Sequence, residues 1–213
     1  MPHGELPVDW LSRLRRSLHG SPDHDPARWQ LGGHLLTTVP AAQSLMSATP
    51  QAAAVLVPII DRPNAPSLLL TTRSGQLRHH ASQISFPGGR VDVGDANMVA
   101  AALRETHEEI GVDSRYIEPL GFLSDHVVLT GFRITPVVAL VRPEFTLKTD
   151  PAEVADVFEM PLEFLCRGTG FKSAIRVLLG LEVTLNDLHY DGRVVWGATS
   201  GILQSLRASL LAP

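Results

Sequence analysis

Three glutamates carry the most chemical information in this chain. Glu105, Glu108 and Glu109 stand in the run Arg104-Glu105-Thr106-His107-Glu108-Glu109-Ile110-Gly111-Val112, downstream of alanines that favour helix. On a helix, Glu105 to Glu108 is i, i+3 and Glu105 to Glu109 is i, i+4, so the acids gather on one stripe about 5–6 Å apart at Cβ. Like charges at that spacing cost roughly 0.2–0.5 kcal/mol per pair. A solvated charged face is one reading. A hard divalent cation is the other, because Mg²⁺ or Mn²⁺ takes oxygen ligands and keeps positions for water and substrate phosphates. That chemistry suits a diphosphate, which resists attack by water until its charge is neutralised.

The helix that must present these acids is predicted over about Ala96–Ile110, with Asp95 or Asn97 as its cap and Gly111 as its end. Val99, Leu103, Thr106 and Ile110 form its expected core stripe, separate from the acids. Upstream, Ala53–Ile60 and Ser67–Thr72 read as strands joined across a turn-prone Asp61–Pro66, which makes a hairpin. Downstream, strands are expected at about 117–128 and 133–141, and Pro136 argues that the second is an edge or bulged strand. The tail offers a short helix near Pro161–Leu165, strands at 175–185 and 188–196, and a last helix near 198–211. Strands outnumber helices without strict alternation, so the fold class is α/β in the broad sense, an α+β or mixed-sheet layered domain.

Ahead of this lies an amphipathic stretch at 8–18, where Val8, Trp10, Leu11, Leu14 and Leu18 face away from Arg13, Arg15 and Arg16. A helix packed on the domain is preferred to a membrane-surface anchor. His19–Pro50 reads as an irregular arm, so the chain divides into an N-terminal helix and arm over 1–50 and a main domain over 51–213.

The whole-chain balance narrows the partners. With 213 residues, 44% hydrophobic and 19% charged, this is a globular composition able to bury one core. A net charge of −4 offers no footprint for a nucleic-acid backbone. No stretch approaches a membrane span and no secretory leader is legible, so the expectation is a cytoplasmic protein without a membrane partner. Cys166, the single cysteine, is expected to be an inert packed thiol.

Gly89, Asp95 and the stretch Arg104–Val112 resemble the Nudix box, G-x5-E-x7-R-E-U-x-E-E-x-G-U with U aliphatic. Here Asp95 replaces the first glutamate, one extra residue precedes Arg104, and Thr106 stands at the first aliphatic position. Leu69–Gly89 is similar to the signature of the coenzyme A pyrophosphatase branch, L-L-T-x-R-[SA]-x3-R-x3-G-x3-[FY]-P-G-G, matching every specified position except the glycine, here Ser82. The resemblance implies the Nudix fold, an α/β/α sandwich around a mixed β-sheet. It also implies hydrolysis of coenzyme A and its derivatives to 3′,5′-ADP and 4′-phosphopantetheine or its acyl derivative. By similarity, Glu105 and Glu109 would be principal metal ligands, Glu108 a ligand or base, the Gly89 carbonyl a further candidate ligand, and Arg104 the group orienting the carboxylates. The small-molecule partner would be coenzyme A or a derivative, with a homodimer as the candidate assembly.

Other residues are read more plainly. Arg73 and Arg78 could hold substrate phosphates through forked donors or form ordinary salt bridges. Gly88 and Gly89 permit close backbone approach. Glu153 is an alternative base or a plain surface acid. The histidines lack a metal-site spacing, with His79 and His80 best placed to touch ligand. No G-x-S-x-G elbow supports a serine hydrolase. Trp196 reads as a core residue at the junction of a strand and a helix. Two rival functions remain: a Nudix hydrolase of another nucleoside diphosphate conjugate (ADP-ribose, a dinucleotide or an oxidised nucleotide), and a non-catalytic nucleotide-binding module.

Overall fold

The computed structural model describes residues 4–22, 25–31, 34–35, 49–63, 65–76, 81–178 and 180–213. Its centre is a pair of long strands that are far apart in sequence. β3 (Gln51–Ile60) runs parallel to β9 (Phe132–Val141), from Gln51 opposite Phe132 to Ile60 opposite Val141. β4 (Ser67–Arg73) returns antiparallel to β3 after the Asp61–Pro66 turn, as the hairpin reading expects. β10 (Val154–Pro161) then pairs along the outer side of β4.

The remaining strands are short and fill the edges. β5 (Ile84–Ser85) pairs with β4, β6 (Gly88–Arg90) with β3, and β7 (Ile117–Phe122) with β9. β8 (His126–Val128) continues beside β9, and two pieces of the N-terminal arm, β1 (Gln30–Leu31) and β2 (His34–Leu35), extend the sheet beyond it. The arm is therefore not wholly irregular. A separate antiparallel sheet is made by β11 (Phe171–Leu178), β12 (Leu181–Tyr190) and β13 (Arg193–Val195).

Strand alternation explains the layering. Along β3, Val57 and Ile59 point into one core while Ala54, Leu56 and Ile60 point into another; β4 divides likewise into Leu68 and Leu70 against Leu69. The first core is closed by α1 (Trp10–Ser17), α3 (Leu162–Arg167) and α4 (Gly197–Leu211), through Leu14, Leu165, Leu203 and Leu206. The second is closed by α2 (Met98–Ile110), through Ala101, Ala102 and Ile110. Helices on both faces of a mixed sheet give the α/β/α sandwich. Cys166 lies fully inside the first core, where burial pushes its thiol up to about 11, the inert state expected of it.

The structure corrects several local expectations. Val8 precedes α1 and is fully exposed, so the buried face of that helix is carried by Leu14 with Trp10 and Leu18 beside it. The stretch 117–128 is two strands rather than one. That break accounts for Pro136, which sits inside the sheet rather than at its edge. β7 pairs with β9 from Val137 onward and β8 only up to Ile134, so Pro136 faces the gap, its carbonyl accepting from the Leu123 N–H. Its missing N–H is not needed there. The tail holds three strands rather than two, the first two starting earlier than the expected 175 and 188 and β13 falling within 188–196, and β10 is a strand that the sequence pattern did not suggest. Among the described residues no helix is long and apolar enough to cross a membrane.

Candidate active site

α2 owes its placement to its caps and to its alanines. The Asn97 side chain accepts from the Ala100 N–H at 3.0 Å, and Gly111 ends the helix with φ +73. Ala101 and Ala102 are fully buried, so the small side chains let the helix lie close to β3 and β6. This rotates the acids apart in environment. Val99 and Leu103 are only half-buried, whereas Glu109 is 2% exposed; Glu105 is half-buried and Glu108 exposed. The separate acidic stripe read from the sequence is thus a graded one, running from the protein interior at Glu109 out to solvent at Glu108.

Two glycines of the Phe86–Gly89 element meet those acids. The Gly88 N–H donates to Glu109 Oε2 at 3.2 Å. A Cβ on Gly89 would lie 2.5 Å from the Glu105 carboxyl carbon, so a larger residue there would displace the Glu105 carboxylate. Gly88 itself has φ +151, and a Cβ there would meet the Ala54 carbonyl oxygen at 2.4 Å. β6 is held against β3 by Val55 opposite Gly88 and Ala54 opposite Gly89, which fixes the glycines under the helix.

The positive charges are arranged around this line. Arg104 donates to Asp95 through Nε at 3.0 Å and Nη2 at 2.9 Å, and through Nη1 to Glu105 at 2.9 Å and Glu108 at 3.0 Å. Its Nη2 also reaches the Arg90 carbonyl. The fork of Arg104 beside it, helped by the Asp92 N–H, holds the Asp95 carboxyl down at about 2. Asp95 is therefore an anchor for Arg104, a role the sequence pattern leaves open. Arg73, at the end of β4, lies 3.5 Å from Glu109 Oε1 and also lines the neighbouring cleft. Arg78, His79 and His80 lie outside the described residues.

Burial pushes the Glu109 carboxyl up to about 7; Arg73 and the Gly88 N–H act against this, while Glu153 and Glu105 add to it. Glu105 is likewise raised, first by burial, with Arg104 opposing and Glu108 and Glu153 reinforcing. Glu153 thus belongs electrostatically to this cluster, placed by the bond from the Ser74 N–H to its carbonyl at 2.7 Å. Among the described residues no three acidic, histidine or cysteine groups already converge as a closed metal cage. The donor set nevertheless fits a hard divalent cation. It is all oxygen, it holds more negative charge than its arginines relieve, and it opens onto solvent at Glu108.

Beside the glycines is a cleft of about 470 Å³, unforeseen in the sequence because its walls come from distant segments. Arg73, Gly88 and Gly89 line it together with Val55, Phe132 and Ile134 from the sheet and Leu185, Trp196 and Thr199 from the tail. Trp196 precedes α4 and is half-buried, so it is not wholly a core residue.

The comparisons agree with this architecture. The NUDIX domain model matches residues 50–177. The chain is 43% identical over 154 residues to a Klebsiella pneumoniae protein named "Uncharacterized Nudix hydrolase NudL", covering 72% of this chain and 80% of that one. It is 42% identical over 154 residues, with the same coverages, to the Citrobacter koseri protein of that name. In fold it is similar to a MutT/nudix family protein from Enterococcus faecalis, with a TM-score of 0.50 at 18% identity over 78% of this chain and 69% of that one. With the domain match spanning more than half its length and relatives above 40% identity, the chain belongs to the Nudix hydrolase family.

Proposed function

We propose that this protein is a coenzyme A pyrophosphohydrolase, cleaving the diphosphate bond of coenzyme A or its derivatives to 3′,5′-ADP and 4′-phosphopantetheine or its acyl derivative. Hydrolysis of a nucleoside diphosphate conjugate is the coarser reading that family membership supports; the substrate is our inference. The observation that supports it is the backbone at the two described ends of the signature segment. Arg73 and Gln83 close the loop through the bond from the Arg73 N–H to the Gln83 carbonyl at 2.9 Å, and the strand beyond delivers Gly88 and Gly89 to the acids. The single departure from the signature keeps its backbone: Ser82 has φ +60, the left-handed conformation for which a glycine is suited.

In this reading Glu105 and Glu109, with Glu108 and the Gly89 carbonyl as further candidates, would hold Mg²⁺ or Mn²⁺. A bound divalent cation would neutralise the diphosphate and lower the pKa of water. The chain's own groups do the rest. Arg104, anchored by Asp95, fixes the outer carboxylates, and Arg73 sits between Glu109 and the cleft, where a substrate phosphate can take its forked donors. Glu108, or Glu153 as the alternative, would accept the proton of the attacking water. The catalytic unit would be residues 51–213 with 1–50 as an extension, acting in the cytoplasm, with a homodimer as the candidate assembly.

Purified protein with Mg²⁺ or Mn²⁺ is expected to release 3′,5′-ADP from coenzyme A, resolved by chromatography, and to turn over ADP-ribose and dinucleotides more slowly. Turnover confined to ADP-ribose would overturn the substrate and leave the catalytic reading in place. No turnover on any nucleoside diphosphate conjugate would overturn both.

A further inference from the structure

Trp196 is not used by the chemistry above, yet it is held in an elaborate way. The Arg176 guanidinium lies over its ring, 4.6 Å from the centroid. Arg176 is in turn ion-paired to Asp187 on β12, which is 3% exposed. Arg176 Nε and Asp187 Oδ1 have no hydrogen-bond partner among the described residues, so this buried pair is incompletely satisfied. A pair like this adds little to stability compared with an apolar alternative, and its clear consequence is to fix the indole. Arg176 does not line the cleft, whereas Trp196 does. Trp196 thus adds ring surface to the cleft while Arg176, which covers its ring, stays off the lining.

We propose that Trp196 is the stacking platform for the purine base of the nucleotide substrate, with Arg176 and Asp187 as the residues that position it. The inference rests on the reading above only in taking the substrate to be an adenine nucleotide conjugate. Trp196 lines the same cleft as Gly88 and Gly89, so one bound molecule can meet both. A locked, flat indole suits a flat partner, because offset stacking needs a fixed plane, whereas a flexible pantetheine chain gains nothing from it. Gln83 and Thr130 stand among the apolar walls, where the polar edge of a base can meet them. Phe132, with Arg90 lying 5.3 Å from its ring centroid, offers a second ring on the same cleft.

The test uses the full chain in EDTA, so that no catalysis intervenes, and titrates adenosine 3′,5′-diphosphate and, separately, 4′-phosphopantetheine by calorimetry and tryptophan emission. The nucleotide is expected to quench wild-type emission, and Trp196→Leu to weaken its binding by about 5- to 150-fold, the span for one lost base stack. Trp196→Phe should bind within about threefold of wild type, because a ring is retained. Arg176→Met should shift the Trp196 emission and weaken the nucleotide, while phosphopantetheine binding stays unchanged in all three variants. Absence of nucleotide quenching, equal nucleotide affinity in Trp196→Leu, or loss of phosphopantetheine affinity instead would overturn the proposal. The two readings fail separately: nucleotide binding that depends on Trp196 in a protein inert toward coenzyme A sinks only the substrate reading. Coenzyme A cleavage with Trp196-independent nucleotide binding sinks only this one.

Discussion

Asp125 and Glu109 are both buried acids, and they are treated in opposite ways. Asp125 is fully buried between β7 and β8, where the Thr135 hydroxyl donates to it at 2.8 Å and Arg133 pairs with it at 3.3 Å. Its neighbour His126 is driven down to about 3 by burial and so stays neutral, within 3.4 Å of the Ser205 hydroxyl. Glu109, 2% exposed, has one N–H at 3.2 Å and one arginine at 3.5 Å, and it faces the like charges of Glu153 and Glu105. The first acid ties the arm side of the sheet together. The second keeps an unresolved charge that a ligand or metal can relieve. The contrast teaches that burial of an acid does not mark a site; burial with too little compensation does.

That contrast can be broken at several points. Removing the compensated acid should do the most harm: Asp125→Ala leaves Arg133 and Thr135 without their partner and is expected to lower stability by about 3 kcal/mol in urea denaturation. The under-compensated acid should respond with the opposite sign. The Glu109 carboxyl is raised from 4.5 to about 7 in the fold, so the folded state holds the proton more tightly. The Glu109 contribution to stability should be full below pH 4.5 and be lost as pH rises through 7, by about 3 kcal/mol at most. Glu109→Gln in metal-free buffer should remove this fall, making the variant more stable than wild type at pH 8 and no different at pH 4.5. Equal stability of Glu109→Gln and wild type at pH 8 would erase the distinction between the two acids.

Smaller effects sharpen the picture around Glu109. Asp95→Ala releases one anchor of Arg104 and is expected to lower kcat about 10-fold or somewhat more, as losing a support for ligating groups does, while far-UV circular dichroism stays unchanged. Ser82→Gly relieves a left-handed residue at the cost of a looser unfolded chain, and is expected to raise stability by about 0.5 kcal/mol with turnover unaltered.

The sequence showed the acids and the helix because both follow from helical spacing, and the glycines because their motif is local. It could not show that Glu109 turns inward, which depends on β6 pressing Gly88 beneath it and on two alanines letting the helix sit close. Pro136 misled for the same reason. Its strand is interior, but the gap opposite it belongs to a different pair of strands. β10 went unread because Asp156 and Glu159 interrupt its apolar pattern, and both are partnered only in three dimensions, by Arg193 and Arg62. The cleft was invisible because its walls join residues as distant as Val55 and Trp196.

The central claim is that Glu105 and Glu109 together hold a divalent cation against the diphosphate. Electron paramagnetic resonance of added Mn²⁺ tests it without any substrate. Wild type should bind Mn²⁺ at millimolar concentration or tighter, with Glu105→Gln and Glu109→Gln each weakening it about 10-fold or more. Equal binding by all three proteins would contradict the account.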